Sequence, residues 1–345
     1  MKRIGLIFDS DYIVGGGHFW RCFNLAKSLK KNKYKFFFIS NTLNKNFVNV
    51  LNREKFKYIK SNNLNNEKEI ILKITNLKLD VLISDYYNLK SQTKKKIKKY
   101  LKLLVVIDDF IHKKHFSDVY INNNFLNTLS KKKIKRLNPN TKLFLGPKYF
   151  ILDKLFVKTK KKKNKKKITN IFCFFGSSDP SNQTFKFLNS IKNLEKIKIN
   201  VLVGKLNKNF KNLKKLFMKK KNIKFFYNIP NNRVVHLLNG SDISVGSGGI
   251  NMLERLFLGI PSIIISTANN QNNSIKNLVK LNFIIFLGEA KKVSQNDIRY
   301  TVQNLIQDQN RLSTLTKKLK LYFNNIKKEY LLSKKLSLII NNLNL

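Results

Sequence analysis

A histidine stands directly behind three glycines near the start of the chain, in Val14-Gly15-Gly16-Gly17-His18. Consecutive glycines let the backbone approach a ligand closely and take positive φ values. The free N–H groups of a helix starting there face an anion or a sugar, and Gly16 and Gly17 are the candidates for that contact. The positive end of the helix dipole favours a neutral imidazole, which can accept a proton. The alternative is a plain tight turn with an exposed histidine. The Gly-x-Gly-x-x-Gly spacing of dinucleotide sites is absent. A second glycine loop runs Val245-Gly246-Ser247-Gly248-Gly249-Ile250-Asn251-Met252-Leu253-Glu254. Here Gly248 and Gly249 offer N–H groups to a diphosphate, and Glu254, one helical turn on, suits two ribose hydroxyls.

Two polar stretches accompany these loops. Ala268-Asn269-Asn270-Gln271 brings donors and acceptors, at Asn270 and Gln271, for sugar hydroxyls and acetamido groups; in so Asn-rich a chain it also reads as an ordinary loop. Phe174-Phe175-Gly176-Ser177-Ser178-Asp179-Pro180-Ser181-Asn182 ends a strand and enters a helix. Ser181 or Asn182 can cap that helix, so capping and ligand contact are both open. Acids close several apolar runs: Asp9 and Asp11, Asp85 before Tyr86 and Tyr87, and Asp108 with Asp109. Such positions are ligand candidates in parallel α/β sheets, or helix caps. His112 and His115 have metal-like spacing without an ordered carboxylate or Cys partner; they read as surface residues, and no metal site is expected. His236 reads as structural. No Gly-x-Ser-x-Gly elbow or phosphate-binding P-loop is present.

The elements that must position these groups alternate. Arg3–Phe8 reads as a buried strand and 19–31 as a helix with Phe19, Cys22, Phe23, Ala26 and Leu29 on one stripe. Strands are expected over 35–40, 80–84 and 103–107, each ending in a polar residue. The pattern restarts after a Lys run, with strands over 171–175, 199–203, 223–226, 243–245 and 262–265, and helices over 182–188 and 251–257. These readings predict an α/β protein with two Rossmann-like domains facing across a cleft, and extra C-terminal helices. The expected divisions are 1–153, a Lys-rich linker over 154–167, a nucleotide-binding domain over 168–290, and a helical segment over 291–345.

Composition narrows the class. The 345 residues can bury a large core, and 42% of them are hydrophobic, which excludes a disordered chain. The longest apolar runs are too short to span a bilayer. Asp9 and Asp11 end the first apolar run early, so it reads as a strand, not a leader. Only Cys22 and Cys173 are present, which fits a reducing compartment and a cytoplasmic protein. The formal charge is +50, from 69 Lys and Arg against 19 Asp and Glu. A polyanion partner is one source of such a charge; the abundance of Lys, Asn, Ile and Phe, residues of AT-rich codons, is the other and the one adopted here. The lysines lack the aromatic interleaving of a single-strand binder, so no specific nucleic-acid partner is expected. A non-enzymatic RNA-binding protein stays as a contrasting reading.

Taken together the motifs resemble a family. Gly15-Gly16-Gly17-His18-Phe19-Trp20-Arg21-Cys22 is similar to the Gly-x-Gly-His-x-x-Arg-Cys segment of the UDP-sugar hydrolases of pseudaminic acid biosynthesis, relatives of spore-coat polysaccharide biosynthesis proteins. Gly176 through Asn182 resembles their Gly-Gly-Ser-Asp-Pro-x-Asn segment. Gly248-Gly249 through Glu254, Leu258-Gly259-Ile260-Pro261 and Asn269-Asn270-Gln271 resemble their second-domain signature. That signature is shared with glycosyltransferases that add N-acetylglucosamine to lipid-linked cell-wall precursors. The likeness covers most of 1–290. It departs at Ile7, where the family often has Arg, and at Ser177, where it has a second Gly.

The resemblance implies a GT-B fold and metal-independent, cofactor-free hydrolysis of a UDP-linked diacetamido trideoxy sugar. It places the catalytic histidine at His18 and an active-site tyrosine at Tyr87, with Asp9 as an added candidate. Substrate contacts are expected from Gly16, Gly17, Arg21, Ser178, Asp179, Asn182, Gly248, Gly249, Glu254, Asn270 and Gln271. A monomer with weak affinity for anionic membrane is expected. The alternative is a GT-B glycosyltransferase using a lipid or glycan acceptor.

Overall fold

The structure is a computed structural model that describes residues 1–9, 16–29, 34–109, 116–123, 125, 139–159, 167–328 and 332–344. Gly15, Asp11, His112, His115 and most of the Lys run lie outside the described residues. The chain divides into two compact units, residues 1–153 with 329–345, and residues 154–328.

Unit 1 is built on seven parallel strands: β1 Arg3–Phe8, β2 Lys35–Ser40, β3 Lys57–Lys60, β4 Val81–Asp85, β5 Leu103–Ile107, β6 Val119–Asn122 and β7 Lys142–Leu145. They lie in the order β3-β2-β1-β4-β5-β6-β7. Its helices are α1 Gly17–Leu29, α2 Lys45–Arg53, α3 Glu67–Asn76 and α4 Ser91–Ile97. The central strands β4 and β5 are apolar runs buried along their whole length, the pattern expected of a parallel sheet covered on both faces. Between β1, β2 and α1, the rings of Phe8, Phe19, Phe23, Phe38 and Phe56 pack at centroid distances of 5.3 to 6.4 Å.

Unit 2 opens with α5 Lys154–Lys158 and carries six parallel strands: β8 Asn170–Phe174, β9 Lys198–Val203, β10 Ile223–Tyr227, β11 Ile243–Ser247, β12 Ser262–Ser266 and β13 Ile285–Glu289. Their order is β10-β9-β8-β11-β12-β13. The helices are α6 Gln183–Ser190, α7 Phe210–Phe217, α8 Asn231–Asn239, α9 Ile250–Phe257, α10 Asn272–Lys280, α11 Gln295–Gln307 and α12 Gln309–Lys328, while α13 Leu332–Asn341 belongs to unit 1. Both units therefore use the Rossmann order, and each has its topological switch point where the first strand meets the fourth: β1 beside β4, and β8 beside β11.

Two expectations about organisation change. The segment 291–345 is not one unit. In it, α11 packs on α6, with Lys186 Nζ donating to the carbonyls of Ala290 and Val293 at 2.9 and 3.0 Å, and Phe323 of α12 packs on Phe257 and Phe283. α13 instead returns to unit 1, where Tyr34 Oη donates to Asn341 Oδ1 at 2.6 Å and Lys2 Nζ donates to the carbonyl of Ile340. The expected linker, 154–167, begins as a helix because Phe156 is buried with Phe172, Phe174, Leu258 and Ile260. Among the described residues, no helix is long and apolar enough to cross a membrane.

Candidate functional site

Helix α1 starts directly behind the first glycine loop, and its first turn is closed by Trp20 N–H donating to the carbonyl of Gly16 at 3.0 Å. A Cβ on Gly16 would lie 2.9 Å from Phe47 Cζ, whereas Gly17 has nothing within 4 Å. Gly16 thus lets α1 seat against Phe47. Spacing of three places His18 and Arg21 on one face of α1. The β1–β4 register, which pairs Phe8 with Asp85, carries Asp85 to the same end of the sheet.

Asp85 is fully buried and is the hub of this site. His18 Nδ1 lies 2.9 Å from Asp85 Oδ1, Arg21 Nε donates to Oδ2 at 2.6 Å, and Arg21 Nη2 donates to Oδ1 at 2.5 Å. Burial pushes the Asp85 carboxyl up, but the Arg21 guanidinium and His18 more than offset it and hold it down at about 2. A carboxylate only accepts, so Nδ1 carries a proton, which leaves Nε2 as the atom that can accept one. Among the described residues Nε2 has no hydrogen-bond partner.

Arg21 also donates from Nη1 to both oxygens of Asp109 at 3.0 Å and from Nη2 to Tyr87 Oη at 3.2 Å. Its five N–H donors are therefore all directed at protein acceptors. Arg21, expected among the substrate contacts, is thereby a clamp between the ends of β4 and β5. Burial opposes its charge, and Asp109 and Asp85 more than compensate, so its pKa lies well above the ordinary value. The Tyr87 hydroxyl donates to Asp109 Oδ2, and its ring meets the His18 ring edge-on at a centroid distance of 4.7 Å. Burial pushes the Tyr87 phenol well up, which keeps it a donor. Asp9, directly after β1, acts instead on Tyr86, whose phenol is raised first by burial and then by the Asp9 charge.

In unit 2 the loops after β8 and β11 lie at the switch point. Asp179 is buried and accepts from Gln183 N–H at 2.8 Å and Thr184 N–H at 2.9 Å. The helix cap is therefore Asp179, not Ser181 or Asn182. Asn182 sits in the left-handed region with φ 50° and makes no side-chain cap bond. A carboxylate thus fills the N-terminus of α6, the capping outcome of the two that the sequence left open for this segment. Ser178 is buried beside it.

The N-terminus of α9 differs: Gly249 stands at its cap position and no side chain bonds there. Gly248 N–H donates to Gln271 Oε1 at 3.1 Å, and the same oxygen accepts from Thr267 N–H at 3.1 Å. Gln271 thus ties the loops after β11 and β12 together, with the Gly248 N–H engaged inside the protein. Asn270 lies in the turn Asn269–Gln271. Glu254 is mostly buried on α9 and accepts from Asn251 Nδ2 at 2.8 Å.

Three participants were not assigned from sequence. Asp85 and Asp109 stood among the strand-end acids, without a sign that Arg21 joins them. Arg255, buried on α9, is flagged by a cation inside the apolar stripe Met252-x-x-x-Leu256-Phe257. Among the described residues, no group of three or more His, Cys, Asp or Glu side chains can hold a metal ion.

Two parallel Rossmann sheets in one chain define the GT-B fold. A glycosyltransferase from Phytolacca americana, UGT2, solved with UDP-2-fluoro-glucose and pterostilbene, superposes over 100% of both chains with a TM-score of 0.69 at 13% identity. No family model matches the chain. In sequence it is similar to the spore coat polysaccharide biosynthesis protein SpsG of Bacillus subtilis, at 25% identity over 88% of this chain and 89% of that one. It is also 30% identical over 272 residues to the uncharacterized protein MJ1062 of Methanocaldococcus jannaschii; the match covers 76% of this chain but only 55% of that relative's length.

Proposed function

We propose that the protein hydrolyses a UDP-linked diacetamido trideoxy sugar at its anomeric C–O bond, releasing UDP and the free sugar. The observation that carries this reading is the His18–Asp85 pair, an imidazole oriented through Nδ1 with Nε2 left to accept a proton. In the proposed step, water attacks the anomeric carbon and gives its proton to His18 Nε2. The bond to UDP breaks with its electron pair on the diphosphate oxygen, a leaving group that needs little protonation. Asp85 stabilises the imidazolium as it forms. Tyr87 and Arg21 fix the orientation of the pair, and Asp9 has no part in the step. Unit 2 holds the nucleotide: Gly249 and the uncapped start of α9 take diphosphate charge, Glu254 accepts from the ribose, and the Asn269–Gln271 turn serves the polar substituents.

The similarity to a spore-coat polysaccharide protein supports an activated sugar destined for a glycan. A glycosyltransferase is the second reading, favoured by the likeness to UGT2, whose structure holds UDP-2-fluoro-glucose together with a second small molecule, pterostilbene. Incubating the protein with a panel of UDP-sugars and following UDP release without an acceptor separates the two. Release from the diacetamido sugar, lost in His18→Ala while UDP binding persists, is the expected result. Release only when an acceptor is added makes the protein a transferase, and no release with no UDP binding rejects both.

A further inference from the structure

Arg255 lies at the centre of unit 2 and is 1% exposed. Among the described residues it forms no ion pair. Only two of its five N–H donors are met: Nη2 donates to the carbonyl of Ser247 at 2.6 Å, and Nη1 reaches the carbonyl of Phe174 at 3.5 Å. Its Nε is buried with no partner at all. The two carbonyls are those of the last residues of β8 and β11, so the guanidinium lies beneath both loops at the switch point. Gly246 makes room for it: a Cβ there would fall 2.2 Å from Arg255 Nη1 and 2.0 Å from the Phe174 carbonyl oxygen. Asp179, in the loop after β8, accepts from the N–H groups of α6, and Glu254, the neighbour of Arg255 in sequence, accepts from Asn251. A buried cation without a counter-charge is costly. Burial accordingly draws the Arg255 guanidinium down to about 10, with Cys173 and Glu254 offsetting it only in part.

We propose that Arg255 is a buried positioning cation whose counter-charge is the anionic diphosphate of the substrate, held at the Gly249 start of α9 directly above it. The inference rests on the reading of unit 2 as a nucleotide-binding unit. Arg255 does not touch the ligand. It fixes the Ser247 and Phe174 carbonyls, keeps both loop ends in place, and supplies a positive field where a preorganised charge in low dielectric acts strongly. With the α9 dipole it makes this helix start, and not that of α6, the one suited to an anion.

Two variants of the full chain separate charge from architecture. Arg255→Gln keeps N–H donors for the two carbonyls and removes the charge; Arg255→Lys keeps the charge and removes the fork. Titration calorimetry with UDP and with uridine reads both. Arg255→Gln is expected to weaken UDP binding about tenfold or more while uridine affinity holds within about twofold, and Arg255→Lys to stay within about threefold of the parent for UDP. The proposal is overturned if Arg255→Gln binds UDP within twofold of the parent, or if UDP and uridine affinities fall by the same factor, the mark of a structural role. Should Arg255→Gln fail to fold, an Arg255→Lys protein that folds normally yet loses about tenfold in UDP affinity overturns it as well. A parent protein that binds neither UDP nor uridine refutes the nucleotide reading of unit 2 itself, a result distinct from failure of the Arg255 role.

Discussion

Each unit buries one arginine at its switch point, and the two are treated in opposite ways. Arg21 meets Asp85 and Asp109 with every donor engaged, and its pKa rises well above the ordinary value. Arg255 meets two backbone carbonyls, and its pKa falls to about 10. The first charge is neutralised by folding, so its site is rigid before any ligand arrives. The second keeps a positive field that the protein has not cancelled, as the proposed diphosphate site requires. A base must be held in one geometry, whereas an anion site gains from a charge that the protein itself has not cancelled.

The sharpest way to break this contrast is to uncouple Arg21. Asp85→Asn removes one of its counter-charges and the acceptor for His18 Nδ1–H. Unit 1 is expected to lose about 3 kcal/mol, and UDP release to slow by about 10²–10⁴-fold. Urea unfolding followed at Trp20, the single tryptophan and a residue of α1, reads the stability of this unit. On the other side, Gly246→Ala drives a methyl into the Phe174 carbonyl and Arg255. A loss of about 2–3 kcal/mol is expected, seen in circular dichroism melts and not in the Trp20 signal. Gly249→Ala is the control, since its Cβ would have only Gln271 Nε2 nearby, at 3.9 Å, and should cost less than about 1 kcal/mol.

Acid probes the same pair from solution. The Asp85 carboxyl titrates at about 2 in the folded protein and near 4 when unfolded. The folded state binds this proton less readily, so the stabilisation is complete above about pH 4 and is lost as pH falls towards 2. It is on the order of 2 kcal/mol, and Asp85→Asn should flatten this part of the stability–pH curve. Of the substitutions in unit 1 the smaller expected effect is that of Tyr87→Phe, which deletes the hydroxyl between Arg21 and Asp109 and should cost about 1 kcal/mol, measured by the same unfolding curves.

The sequence was most readable where one physical rule acts alone. Buried parallel strands are unbroken apolar runs, so β1, β2 and β5 fall where the pattern predicts them, and glycine loops stand between strand and helix in both units. Four strands were not predicted: the edge strands β3, β7 and β13, whose partly exposed faces mix Lys and Gly with apolar residues, and β6, a buried interior run of only four residues, Val-Tyr-Ile-Asn. At the site, His18 is legible from its glycines. Its partner Asp85 is 67 residues away and is identified only by the β1–β4 register. Around Asp179 the sequence left capping and ligand contact open, and it pointed to Ser181 or Asn182 as the cap because the left-handed turn at Asn182, which brings Asp179 back to the start of α6, is not visible in it. Arg255 carries a sequence signal, a cation in an apolar stripe, whose meaning depends on which backbone carbonyls lie above it.

The return of α13 to unit 1 bears on how the protein is made. Unit 2 is a continuous stretch, complete once residue 328 has left the ribosome. Unit 1 is interrupted, and the helix that carries Asn341 for Tyr34 and the backbone acceptors for Lys2 follows unit 2 in the chain. The usual order, in which the N-terminal domain matures first, cannot hold here: unit 1 gains its last helix only after all of unit 2 has been synthesised.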